Sequence, residues 1–158
     1  DSVYPYIAFD DSDSIHIVWI DSTDINGAGS DYDVFYRKWD SSSQTWSTSH
    51  VISTESSSTS TNAALVVDSY SITHIVWIDS SNIANSGFDE DIYYRSFDTE
   101  TGSYSDIVLI SSLSDDHSYT PEICKDSKDY LHVFMKEYDD LLGSGTDGDI
   151  FYRKYHYP

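Results

Sequence analysis

Cysteine is almost missing from this 158-residue chain, and the single Cys124 rules out an internal disulfide. Cations are scarce as well: Lys and Arg total 8 against 28 Asp and Glu, for a formal charge of −20. Nucleic acid is therefore excluded as a partner, because phosphate binding by counterion release needs clustered Lys and Arg. No apolar run is long enough to cross a membrane as a helix. No stretch keeps a 3.6-residue apolar period over three turns, so helices are not expected. A Ser-His-Asp constellation, a phosphate-binding loop and zinc-ligand spacing are likewise missing, and no catalytic residue is assigned. The chain opens without an initiator Met or a signal peptide, as expected of a processed chain or a segment of a longer one.

What the chain has in abundance is Asp, Ser, Thr and Tyr, arranged in a repeat. IHIVWID (15–21), an acidic glycine-bearing loop and DVFYRKWD (33–40) return as THIVWID (73–79) with DIYYRSFD (91–98). They return again as LHVFMKE (131–137) with DIFYRKYH (149–156). His16, His74 and His132 stand 58 apart without a gap, as do Asp33, Asp91 and Asp149. Such a period marks a repeat architecture. Each repeat predicts four antiparallel strands, the first at 6–10, 64–68 and 122–126 and the fourth at 45–53 and 103–111. The second strand is nearly continuous apolar sequence, as expected where both faces are covered. The fold class expected is all-β, with β-propeller blades at about 1–58, 59–116 and 117–158, the third ending before its fourth strand. A ring needs at least about four blades, so further copies of the chain, or missing blades of a longer one, are expected to complete it. Cys124 aligns with Ala8 and Val66, which predicts a small buried residue.

The order IAFD…IHIVWID…DVFYRKWD…QTWS resembles the sialidase-like, Asp-box (BNR) repeat β-propellers. The turns matching the Asp-box are DSSSQTW (40–46) and DTETGSY (98–104), each one residue longer than the usual motif. The resemblance implies the propeller fold. It also raises a glycoside hydrolase with catalytic residues partly outside this chain as an alternative activity.

The loop between the second and third strands carries the densest chemistry. Its acids and amides recur in register: Asp21, Asp24, Asp31 and Asp33; Asp79, Asn82, Asp89 and Asp91; Glu137, Asp140, Asp147 and Asp149. Calcium takes six to eight oxygens from flexible carboxylates and carbonyls, so these loops are expected to bind calcium. The competing reading is solvated turns closed by Asx hydrogen bonds. His16, His74 and His132 lie in different blades and cannot converge on one metal, so a packed, backbone-bonded role is expected. Arg37, Arg95 and Arg153 sit between aromatics on the third strand, which predicts stacking and a carboxylate partner. Together these features suggest a secreted or cell-surface module for binding or assembly. Its expected partners are a neutral glycan or a surface protein. Self-assembly through the open edge at 149–155 is a further alternative.

Overall fold

The computed structural model describes residues 1–25 and 27–156. Three antiparallel sheets follow one another along the chain. The first contains β1 (Ser2–Phe9), β2 (Ile15–Asp21) and β3 (Asp33–Asp40), with the short β4 (Thr45–Trp46) and β5 (His50–Val51) both pairing with β3. The second repeats this with β6 (Ser60–Val67), β7 (Ile72–Asp79), β8 (Asp91–Asp98), β9 (Ser103–Tyr104) and β10 (Val108–Leu109). The third has β11 (Ser118–Lys125), β12 (Tyr130–Glu137) and β13 (Asp149–His156). One 3-10 turn, Leu141–Gly143, interrupts this all-β pattern among the described residues. The sheets are blades of an incomplete β-propeller.

Two layers of side chains join the blades. Val18, Ile20, Val34 and Tyr36 of the first blade pack on Leu65, Ile75, Trp77, Tyr93 and Phe97 of the second. Val76, Ile78, Ile92 and Tyr94 on the reverse face of the second blade meet Ile123, Leu131, Val133 and Met135 of the third. The alternation of strand side chains makes this possible, since residues of even and odd number serve opposite joints. Apolar surface removed from water at these joints stabilises the fold at roughly 25 cal/mol per Å².

The strands depart from expectation in two ways. The first strand of each blade starts four residues earlier than predicted, inside what reads as a Ser-rich linker. The serines are the reason: Ser60 and Ser118 Oγ donate to Asp79 Oδ2 and Glu137 Oε2, each at 2.7 Å, and Ser2 Oγ donates to Asp21. The fourth strand is broken into two pairs of residues. Ser47 and Ser105 interrupt it, each accepting a backbone N–H on its Oγ and an arginine Nε–H on its carbonyl. Cys124 is exposed, contrary to expectation, because no blade covers that face of β11.

Candidate functional site: an axial cavity

The loop acids have separate structural tasks. Asp21, Asp79 and Glu137 end the second strands and accept serine hydroxyls from the first strands. Asp24, Asn82 and Asp140 accept the N–H of Gly29, Gly87 and Gly145 at 3.4, 3.2 and 2.9 Å. These glycines have φ of +95°, +115° and +102°, and a Cβ on any of them would approach a carboxylate oxygen of Asp31, Asp89 or Asp147 within 3.3 Å. Positive φ and lack of room both demand glycine there. Asp33 and Asp91 are buried and accept Ser53 and Ser111 hydroxyls through Oδ1, while their Oδ2 atoms lie buried without a hydrogen-bond partner, as does that of Asp149. Burial pushes the Asp33 carboxyl up to about 6, the Ser53 hydroxyl opposing and the charges of Asp31 and Asp79 adding to the rise. Among the described residues, no three His, Cys, Asp or Glu side chains converge as a metal-binding group.

The histidines bond to side chains rather than to the backbone. His16 Nδ1 meets Tyr36 Oη at 2.7 Å and Thr73 Oγ1 at 3.1 Å, and Nε2 meets Asp10 at 3.2 Å. His74 has the same relation to Tyr94 and Asp68. Burial lowers the pKa of both rings and keeps them neutral, so Nε2–H donates to the carboxylate and the tyrosine donates to Nδ1. His132 bonds Tyr152 on the uncovered face of the third blade. The arginines stack on fourth-strand rings rather than on their own strand: Arg37 over Trp46 and Arg95 over Tyr104. Arg95 also reaches back to the first blade, to Ile52 O, Thr54 Oγ1 and Glu55 Oε1. Arg153 reaches Ser112 of the second blade in the same way.

A different set of residues meets where the first strands of all three blades come together. Each first strand carries a bulge, placing two residues opposite one: 4–5 across from Trp19, 62–63 across from Trp77, and 120–121 across from Met135. The leading residue of every bulge is left-handed and none is glycine: Tyr4 at φ 51°, Asn62 at 48° and Thr120 at 48°. For a β-branched threonine this is a costly conformation, of order 1–3 kcal/mol, held in place by the surrounding sheet. The three bulges line a cavity of about 280 Å³ with Tyr4, Pro5, Tyr6, Asn62, Ala63, Ala64, Thr120, Pro121 and Glu122. Tyr6 and Glu122 are neighbours in this lining, where the Tyr6 phenol is pushed up by burial and then by the charge of, and its hydrogen bond to, the Glu122 carboxylate.

Within this lining the repeat diverges. His, Asp and Arg recur at their structural stations in all three blades, yet 4, 62 and 120 hold Tyr, Asn and Thr, and 6, 64 and 122 hold Tyr, Ala and Glu. Identity between the blades does not mark these positions, because they share none. Divergence within a strict repeat was the signal available.

Solved structures place the fold among known proteins. The fold is shared with sugar-acting proteins. A xylan β-1,4-xylosidase from Bacillus halodurans C-125 superposes with a TM-score of 0.60 at 15% identity, over 98% of this chain and 28% of that one. An ulvan lyase of polysaccharide lyase family PL25, solved with a -[GlcA(1-4)Rha3S]- ligand, gives 0.59 at 12% identity over 98% and 41%. A fucose lectin from Kordia zhangzhouensis, in complex with methyl-fucoside, gives 0.51 at 15% identity over 96% of both chains. The chain therefore spans less than half the length of the first two. No family model and no curated protein sequence matches it. At these identities the likeness establishes the fold and leaves the Asp-box relationship as a proposal.

Proposed function

We propose that the chain is a carbohydrate-binding β-propeller module and that the axial cavity holds a neutral sugar unit. The observation that carries this reading is the axial lining itself: three strained bulges converge there, and the side chains they present differ from blade to blade. Strained backbone clusters at ligand sites, and the three bulges bring it together around one cavity. The exposed Tyr4 ring offers an apolar face for a pyranose, and Asn62, Thr120, Tyr6 and Glu122 supply donors and acceptors for hydroxyls. The fold neighbours, a xylan xylosidase, an ulvan lyase and a fucose lectin, support a glycan as the ligand class.

Binding is favoured over hydrolysis. Glycosidases of the ordinary type place two carboxyls about the scissile bond, whereas Glu122 is the carboxylate lining this cavity. The sialidase reading needs an arginine cluster, and Arg37, Arg95 and Arg153 are held in separate stacks and joints. No turnover of a fluorogenic sialoside is expected. A secreted or cell-surface location belongs to this proposal, as does calcium at the loops between second and third strands.

The test is titration calorimetry or NMR with methyl-fucoside and xylo-oligosaccharides. Binding in the micromolar to millimolar range is expected, weakened at least tenfold by Tyr4→Ala or Asn62→Ala with the strand circular dichroism unchanged. Affinity unaffected by either substitution, or no response to any neutral sugar at tens of millimolar, would refute the axial site.

A further inference from the structure

The two end faces of this chain are the two halves of its internal joints. We propose that a second copy docks head to tail, so that the first blade of one copy packs on the third blade of the other and two copies complete a six-bladed ring. The head face is the outer face of the first blade. Ile7 and Phe9 are 54% and 62% exposed there, while their equivalents one repeat on, Leu65 and Val67, are 2% and 3% exposed inside the first joint. Trp19 lies on the same face at the station of the fully buried Trp77.

The tail face is the outer face of the third blade. Phe134, Ile150 and Tyr152 are 43%, 70% and 48% exposed, at the stations where the first joint has Val18, Val34 and Tyr36, all at most 1% exposed. Cys124 takes the place of Ala8, and His132 with its bonded Tyr152 reproduces the His16–Tyr36 pair. Lys136 stands where the inner joints have Ile20 and Ile78, and it turns its ammonium onto Tyr138. A hollow of about 640 Å³ beside it, lined in part by Tyr119, Lys136 and Tyr138, gives an incoming blade room.

The commitment to a second copy rests on continuity with an existing interface. The packing instructions on the head face already fit a tail-type face twice within the chain, at both internal joints. Apolar side chains exposed in such numbers on a chain of charge −20 mark an interaction surface rather than a solvated one. Six blades fall within the range in which propellers close. A closed ring would also surround the axial cavity, which one copy lines from three blades only. The inference bears on the glycan reading in that respect, but its readout is mass and the two fail separately.

The experiment is native mass spectrometry or light scattering of the 158-residue chain, with two surface variants, Phe9→Asp on the head and Phe134→Asp on the tail. Unmodified chain is expected at twice the 17.9 kDa of one copy. Each variant alone is expected as a folded monomer, because every head-to-tail joint then contains one spoiled face. An equimolar mixture is expected to recover a one-to-one dimer through the single intact joint. A head-to-head or tail-to-tail dimer would respond to one variant only and would overturn the proposal. A folded monomer of the unmodified chain at about 100 μM, or a concentration-dependent ladder without a closed dimer, would overturn it as well.

Discussion

Asp33 shows how far a single residue can set the pH response. Its carboxyl is 2% exposed, takes one serine hydroxyl and faces the charge of Asp79 from the next blade. A carboxyl whose folded pKa is raised to about 6 contributes stability that is fully present below its unfolded pKa and lost as pH rises through 6. A rise of about two pH units corresponds to about 3 kcal/mol. Neutral His16 and His74, depressed by burial, act in the opposite direction: their contribution is lost as pH falls below the ordinary histidine range. The comparison of Asp33→Asn with the unmodified chain removes the histidine term. The variant's relative stability should rise by up to about 3 kcal/mol between pH 4 and pH 7.5. Urea unfolding at the two pH values checks it, and a difference independent of pH would mean that Asp33 is ionised without penalty.

At the scale of elements, the bulges and loops separate what the sequence made legible from what it hid. The second and third strands could be read directly, because IHIVWID and its copies are nearly continuous apolar sequence and keep one register. The first four residues of β1, β6 and β11 could not: a bulge shifts the alternation by one residue, so Ser-x-x-x before the apolar run reads as linker. The fourth strand was legible as a position but not as a broken one, since Ser47 and Ser105 act through hydroxyls that no periodicity reveals. Arg95 was legible as a stacked residue, but its reach to Ile52, Thr54 and Glu55 joins blades 40 residues apart in sequence. The axial site was hidden by the very regularity that revealed the fold.

Two predictions belong to these elements. Thr120→Gly should relieve the left-handed strain and stabilise the protein by about 1 kcal/mol, while weakening sugar binding by removing a lining hydroxyl. Thermal melts and sugar titration of the same variant check both halves. A destabilised variant would show that the threonine side chain contributes more to packing than its backbone costs. Calcium is the second. The unpartnered Oδ2 atoms of Asp33 and Asp91 are the features that favour a cation. An extracellular site at tenfold excess over its dissociation constant adds about 1.4 kcal/mol. Millimolar calcium should then raise the melting temperature by several degrees at pH 7.5, and Asp33→Asn should reduce that gain. Identical melts with calcium and with chelator would leave the loops as Asx-closed turns.

On the scale of the whole molecule, the charge of −20 decides which glycans can approach. The anionic field is not confined to one loop, because each blade carries its acids at the same end of its second and third strands. Glu122 adds a negative charge within the axial lining, and no Lys or Arg lines that cavity. A uronate or sulfated sugar would therefore enter against repulsion, with no ion pair to offset its lost hydration. Neutral sugars meet no such barrier. At low ionic strength, an anionic oligosaccharide is expected to bind at least tenfold more weakly than its neutral counterpart. The gap should narrow as salt is raised from 10 mM to 1 M, since the Debye length contracts from roughly 30 Å to roughly 3 Å. Matched titrations of xylo-oligosaccharides with and without a glucuronate branch, at both salt concentrations, measure it. Equal affinities at low salt would mean that the sugar sits beyond the reach of Glu122 and the loop acids, and so outside the axial cavity.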